Sequence, residues 1–142
     1  MKKKVLFLCT GNSCRSQMAE GWTRHYWNEI IEPYSAGIEK HGLNPYAVKV
    51  MSEVGIDISH QYSKTIRELP TSDFDLVVTV CDSAREKCPI FLGKSKLIHK
   101  GFDDPPSLVN HTTSEEEKLV IYRKVRDEIG KFILNLPKYL ER

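Results

Sequence analysis

Long apolar runs and a strong net charge are both missing from this sequence of 142 residues. No stretch comes near the roughly 20 apolar residues that a membrane-spanning helix needs. The apolar run after the N-terminal lysines, Val5 to Cys9, is too short for a signal peptide. The formal net charge of +2 gives no general attraction to nucleic acid or to an anionic membrane. We therefore expect a cytoplasmic monomer without nucleic-acid or membrane partners.

Cysteines are few, and their spacing excludes the common zinc motifs. The four cysteines form the patterns Cys9-x4-Cys14 and Cys81-x6-Cys88, and the five histidines do not cluster near them. In a reducing compartment, cysteines are more often catalytic or redox-active than structural cross-links. We therefore predict no metal site and treat the cysteines as candidates for chemistry.

Apolar, β-branched segments alternate along the chain with segments of helical periodicity. The predicted strands are 3–9, 32–37, 75–81 and 96–99; the predicted helices are 14–31, 44–54, a short one after 63 and a long one beginning at the Ser114–Glu117 capping box. Such alternation gives a parallel sheet with helices on both faces. We predict one α/β domain over residues 1–142, a three-layer sandwich. Ligands of such sheets bind at the carboxyl ends of the strands, where Cys9 and Cys81 fall.

The segment between the first strand and the first helix has the form Cys-x5-Arg-Ser, from Cys9 to Ser16. Gly11 and Asn12 tolerate positive φ, so the backbone can curl and direct successive N–H groups inward. The following helix adds N–H groups and its positive dipole end, and Arg15 adds a planar fork that suits a tetrahedral oxyanion. The predicted oxyanion-binding loop consists of Thr10, Gly11, Asn12, Ser13, Cys14 and Arg15.

Cys9 lies in the same positive field as the bound anion. Thiols near helix N-termini and cationic groups ionise at lower pH than free thiols, so we expect Cys9 to be a thiolate nucleophile. Ser16 is a candidate donor of a hydrogen bond to this sulfur, both as nucleophile and as leaving group. We predict that Ser16→Ala shifts the ionisation of Cys9 to higher pH. The structural alternative is a strand-to-helix turn with a buried cysteine.

The segment Val5 to Gly21 resembles the low-molecular-weight phosphotyrosine protein phosphatases, and more closely the thioredoxin-coupled arsenate reductases built on that fold. The resemblance continues through residues 34–39, 41–45, 54–59, 101–105 and 123–129, nearly the whole chain. It implies a four-stranded parallel sheet flanked by helices. It also implies Arg15 as oxyanion ligand and Asp104, which precedes Pro105, as general acid. Asp103 is the competing candidate for the acid.

The second cysteine pair distinguishes the two activities of this fold. A phosphatase needs only Cys9, Arg15 and an acid. Arsenate reduction also needs thiols that take up the oxidation: Cys81 attacks Cys9 and releases arsenite, and Cys88 moves the disulfide outward to thioredoxin. In an intact helix Cys81 and Cys88 would be about 10.5 Å apart, beyond the span of about 7 Å that a disulfide tolerates. We therefore predict that this segment unwinds on oxidation.

Two features near the loop set limits on the site. Cys14 is a candidate backup partner for Cys9, but we expect its side chain to point into the helix–sheet interface and to take no part in the chemistry. Some members of the family hold a potassium ion at the positions of Asn12, Glu20 and Ser35 together with an acid, but here Lys64 stands in the place of that acid. This departure argues against a potassium site, and the lysine ammonium is a candidate replacement for the ion. No other cofactor is expected, since thioredoxin supplies the electrons.

Arsenate reduction is the first functional hypothesis from the sequence. The alternatives are a low-molecular-weight protein tyrosine phosphatase and a redox-sensing module that binds oxyanion without turnover. The combination of Cys9, Arg15 and Asp104 argues against the binding module. Ser13 and Gln17 stand where phosphatases of this fold usually carry an apolar residue and proline, and the Asp-Pro loop lacks an aromatic wall. These departures favour a small inorganic anion.

Overall fold

The computed structural model describes residues 2–81, 95–109 and 113–141. Its strands are β1 (Lys3–Cys9), β2 (Ile31–Gly37), β3 (Leu76–Thr79) and β4 (Lys96–His99). They form one sheet in the order β2-β1-β3-β4, and every neighbouring pair is parallel. The parallel four-stranded α/β fold predicted from the sequence is confirmed.

Helices flank this sheet, and two of them begin at the capping residues that the sequence predicts. Within the described ranges they are α1 (Arg15–Trp27), α2 (Pro45–Glu53), α3 (Pro105–Leu108) and α4 (Glu115–Leu134), with 3-10 turns at Ile66–Glu68 and Leu136–Leu140. The Asn44 side chain accepts hydrogen bonds from two N–H groups of the first turn of α2, and Ser114 and Glu117 form a capping box on α4. None of the helices in this part of the chain is long and apolar enough to cross a membrane.

The end of α1 differs from the sequence prediction. The predicted helix ran to about residue 31, because Met18, Trp22, Tyr26 and Ile30 recur at intervals of four. In the structure α1 ends at Trp27, and the side chains of Tyr26 and Ile30 are 36% and 47% exposed. The chain turns over residues 28–30 so that residue 31 begins β2, completely buried. Pairing with the central strand therefore ends a helix that local periodicity would have continued.

The central strand β1 places Cys9 at the functional edge of the sheet. Residues Val5 to Leu8 are completely buried, and the chain then leaves β1 at Cys9 and enters α1 at Arg15. β3 is the parallel neighbour of β1, and Cys81 lies two residues beyond its end. The predicted loop and the second cysteine therefore meet at the carboxyl ends of adjacent strands, as expected for a ligand site in such a sheet.

Candidate active site

Backbone hydrogen bonds shape the loop between β1 and α1 into a cradle. The carbonyl groups of Thr10 and Ser13 accept hydrogen bonds from the N–H groups of Glu39 and Asn44 at 2.9 and 3.0 Å. Because the carbonyl and the N–H of one peptide unit point in opposite directions, the N–H groups that follow these carbonyls face away from the segment 39–44. Asn12 adopts a φ of 47°, the only non-glycine residue with positive φ in the described ranges. This conformation is the curled backbone that the sequence predicts for an anion-binding loop.

Cys9 lies at the base of this cradle with its sulfur in contact with Ser16. The Cys9 side chain is buried, and its Sγ lies 2.9 Å from Ser16 Oγ. Ser16 Oγ also accepts a hydrogen bond of 2.8 Å from the Asn12 side-chain amide. The structure therefore brings the predicted nucleophile and its predicted hydrogen-bond partner together.

Arg15 and Asp104 lie together at the opening of the site. Arg15 Nη1 donates to the carbonyl of Phe102 at 3.0 Å, and its Nη2 lies 3.4 Å from Asp104 Oδ1. These two contacts hold the guanidinium against the loop that carries the candidate acid. Asp103, the competing candidate, instead lines a separate cavity between α4 and the C-terminal 3-10 turn. The geometry therefore favours Asp104 over Asp103 as the carboxyl group that faces a bound anion.

Cys9 and Cys81 open into one cavity of about 490 Å³. Its lining consists of Cys9, Thr10, Gly11, Ser13, Cys14, Arg15, His41, Asn44, Cys81, Asp104 and Pro106. The sulfur of Cys81 is buried and lies 3.2 Å from Thr10 Oγ1. Cys88 lies outside the described residues, as does the segment for which unwinding is predicted, so those predictions stay open.

Sequence reasoning missed three parts of this site. It gave no role to the Thr10 hydroxyl toward Cys81, and it did not place His41 or Asn44 at the cavity. The Thr10 contact had an available signal, because the ends of two adjacent parallel strands must lie close together. No local pattern indicates His41; its ring occupies the space beside Gly11, where any Cβ would lie 2.3 Å from its Nδ1.

Cys14 is the third thiol that lines the cavity. It is 3% exposed and packs within the main hydrophobic core. Burial raises the pKa of the Cys14 thiol far above its ordinary value, and the nearby charges of Cys9 and Asp104 act in the same direction. This shift disfavours the thiolate form of Cys14 at physiological pH, and its exclusion from the chemistry stays a prediction.

The Lys64 ammonium contacts Ser35 and lies near Glu20. Its Nζ donates to the carbonyl of Ser35 at 3.2 Å, and the Ser35 hydroxyl donates to Glu20 at 2.5 Å. Burial lowers the pKa of Lys64, whereas the charge of Glu20 opposes this shift. Over the described ranges no group of three or more His, Cys, Asp or Glu side chains is placed to hold a metal ion. The replacement of potassium by the lysine ammonium stays a prediction.

Taken together, these contacts suit nucleophilic attack on a tetrahedral oxyanion. A thiol at the base of a positively charged loop, an arginine fork and a carboxyl group face one cavity. The N–H groups and the arginine can neutralise a dianion, the sulfur can attack its centre, and the carboxyl group can protonate the leaving oxygen. A second buried thiol lies within the same cavity.

Comparisons with known proteins agree with this chemistry. Residues 4–142 match the model of the low molecular weight phosphotyrosine protein phosphatase family, and the chain belongs to that family. It is 53% identical over 132 residues to the arsenate reductase of Halalkalibacterium halodurans, covering 93% of each chain.

Solved structures give the same picture. A structure described as an arsenate reductase in the phosphate binding state superimposes with a TM-score of 0.79 and 32% identity, covering 98% of this chain and 99% of that chain. A thioredoxin-dependent arsenate reductase of Corynebacterium glutamicum gives a TM-score of 0.69 and 26% identity, covering 98% of this chain and 62% of that one.

Proposed function

We propose that this protein reduces arsenate to arsenite. The observation that carries the proposal is the second buried thiol: Cys81 lines the same cavity as Cys9 and lies against the loop through Thr10. Hydrolysis of a phosphate ester has no use for this sulfur. Reduction requires it, because a thiol within reach of Cys9 must take up the oxidation.

The first step of the proposed reaction is attack of the Cys9 thiolate on arsenic. An S–As bond forms, and an oxygen leaves as water after Asp104 supplies a proton. Arg15 and the loop N–H groups neutralise the charge of the anion throughout this step. The product is a covalent adduct in which arsenic is still pentavalent.

The second step is attack of Cys81 on the sulfur of Cys9. The S–As bond breaks and its electron pair stays on arsenic, the proton of the Cys81 thiol passes to the departing arsenite, and a Cys9–Cys81 disulfide remains. Cys88 then attacks Cys81, which frees Cys9 as a thiolate and forms a Cys81–Cys88 disulfide. Thioredoxin, the proposed electron donor, reduces this disulfide and closes the cycle. The relatives that carry the name arsenate reductase support the reaction, and the thioredoxin-dependent neighbour supports the donor.

A low-molecular-weight protein tyrosine phosphatase is the second candidate, favoured by the family to which the chain belongs. The same three groups, Cys9, Arg15 and Asp104, would carry phosphate ester hydrolysis. Weak phosphatase activity therefore does not distinguish the two functions, because the loop supports both reactions.

The decisive experiment measures arsenite production with thioredoxin, thioredoxin reductase and NADPH. Wild type should turn over repeatedly, whereas Cys88→Ser should release at most one arsenite per enzyme. Hydrolysis of an aryl phosphate by the same two proteins serves as the control, because the loop chemistry does not involve Cys88. Repeated arsenite release by Cys88→Ser would refute the cascade. No arsenite from wild type, together with efficient ester hydrolysis, would favour the phosphatase.

A further inference from the structure

A row of side chains behind the oxyanion loop begins at the surface of α1. Arg24 Nη1 donates to Gln61 Oε1 at 2.8 Å, and Gln61 Nε2 donates to Gln17 Oε1 at 2.7 Å. The orientation of the Gln61 amide is fixed at both ends. A guanidinium can only donate, and Gln61 Nε2 also donates at 3.0 Å to the main-chain carbonyl of Gln17, which can only accept. The row therefore has one possible direction at its outer end.

The inner part of the row has the same direction. The two N–H groups of Gln17 Nε2 are shared among three acceptors: Asn12 Oδ1 at 2.9 Å and the main-chain carbonyls of Asn12 and Tyr62 at 3.0 Å each. Asn12 Oδ1 also accepts from the main-chain N–H of Lys64 at 2.9 Å. Since both partners of this oxygen are donors, the Asn12 amide cannot be flipped. Its Nδ2 must face Ser16 Oγ, to which it donates at 2.8 Å.

The last hydrogen bond joins Ser16 to Cys9 at 2.9 Å. Ser16 Oγ already accepts the N–H of Asn12, and a Cys9 thiolate has no proton to give. The Ser16 hydroxyl therefore donates to the sulfur. From Arg24 to Cys9, five hydrogen bonds follow one another, and each donates toward the thiolate.

Burial strengthens the effect of these aligned hydrogen bonds on a negative charge at the Cys9 sulfur. Asn12, Ser16 and Gln17 are 0% exposed, and Gln61 is 7% exposed. Hydrogen bonds that point the same way in a low-dielectric environment polarise one another. Glu20 pairs with the Arg24 guanidinium at 2.6 Å and offsets its long-range field. The electrostatic effect of this row on Cys9 therefore comes from oriented dipoles and not from the net charge of Arg24.

We propose that three residues outside the oxyanion loop act as positioning residues for the Cys9 thiolate. They are Gln17, Gln61 and Arg24, and they stabilise the thiolate through Asn12 and Ser16. This inference rests on the proposed role of Cys9 as nucleophile. It assigns a function to two glutamines that touch neither the substrate nor the sulfur.

The test is the pH dependence of Cys9 ionisation, followed as iodoacetamide alkylation mapped to Cys9 by mass spectrometry. Gln61→Met removes the hydrogen bonds and changes neither the net charge nor the Arg24–Glu20 pair. We expect the midpoint of ionisation to rise by about half a pH unit, which is about threefold less thiolate below the midpoint. Gln17→Met should produce a rise of at least the same size.

The double variant Gln17→Met/Gln61→Met distinguishes a shift caused by the row of hydrogen bonds from a shift caused by general destabilisation of the fold. If the row acts as one directed series of hydrogen bonds, the double variant should shift the midpoint no further than Gln17→Met alone. Independent structural effects of the two substitutions would add. Ile129→Val provides the matched control, because it destabilises the core by about 1 kcal/mol and leaves the row of hydrogen bonds intact. This control should leave the midpoint unchanged.

Arg24→Lys provides a second test at a partly exposed position, useful if the glutamine variants fail to fold. It keeps the positive charge beside Glu20 but loses the planar fork that reaches Glu20 and Gln61 together. We expect a smaller rise of the midpoint in the same direction. An unchanged midpoint in Arg24→Lys and in the folded glutamine variants, or fully additive shifts in the double variant, would overturn the proposal. Neither readout involves arsenate, so failure of the reductase assay and failure of this inference are distinguishable.

Discussion

Gly37 is the position at which a single methyl group should disable the site. It lies opposite Cys9 in the β1–β2 register. A Cβ at this position would lie 2.3 Å from the carbonyl oxygen of Glu39, and 2.8 Å from both Asn12 N and the Thr10 carbonyl oxygen. All three atoms belong to the backbone, so no side-chain rotation can relieve the contact. In Gly37→Ala the Glu39 carbonyl must therefore move by about 1 Å, and the loop atoms Asn12 N and Thr10 O by about 0.5 Å.

The expected magnitude follows from this displacement. Overpacking of this kind costs about 1–3 kcal/mol, and at this chain length a loss of 1 kcal/mol lowers the Tm by about 3 °C. We therefore expect the Tm of Gly37→Ala to fall by about 3–9 °C. A misplacement of about 1 Å in a catalytic group can cost about 100-fold in rate. For about half of that displacement in the loop we expect a loss of about tenfold in kcat/KM for arsenate, and a loss of affinity for inorganic phosphate of the same order.

Gly55→Ala is the control that separates stability from the site. Gly55 has a φ of +81° and nothing within 4 Å of its added Cβ. Alanine there is strained by about 1 kcal/mol, so the Tm should fall while phosphate binding and turnover stay at the wild-type level. Calorimetry with phosphate, thermal unfolding and arsenate turnover measure the three quantities. Undiminished phosphate affinity in Gly37→Ala would refute the reasoning, as would an equal loss of activity in Gly55→Ala.

Three further predictions follow from the environments of single side chains. At about pH 8, iodoacetamide should label Cys9 and leave Cys14 unmodified in the folded protein, because burial raises the Cys14 pKa; labelling of both at similar rates would contradict this. Exchange of potassium for sodium should change neither Tm nor turnover, because the Lys64 ammonium donates to the chain where the ion would lie; strong activation by potassium would argue otherwise. Hydrogen bonds from Arg123 hold the pKa of Glu53 below its ordinary value, so the stabilisation is present above that value and is lost as the pH falls through the lowered one. Glu53→Gln should therefore lower the Tm at neutral pH and have little effect in acid, and an equal loss at both pH values would count against the ion pair.

The sequence predicts this fold where its signals are local. The strand before Cys9, the glycine and asparagine of the loop, and the capping residue Asn44 each act through their immediate neighbours, and the structure has them as expected. The end of α1 could not be predicted in this way, because it depends on a distant contact: residue 31 pairs with Lys3 of the central strand β1. The hydrogen bond between Thr10 and Cys81 spans 71 residues. A contact over that distance depends on which strands are neighbours, and the periodicity of one segment does not encode this.

The same loop accounts for the direction of the proposed disulfide cascade as well as for its first step. A disulfide exchanges most readily when the sulfur that leaves is the better stabilised thiolate. Within the described ranges Cys9 receives the Ser16 hydrogen bond, whereas Cys81 has only the contact with the Thr10 hydroxyl. When Cys88 attacks a Cys9–Cys81 disulfide at Cys81, the leaving sulfur is therefore the one that contacts the Ser16 hydroxyl at the base of the loop. The contacts on which the proposed role of Cys9 as nucleophile rests thus also favour its release at the end of the proposed cycle.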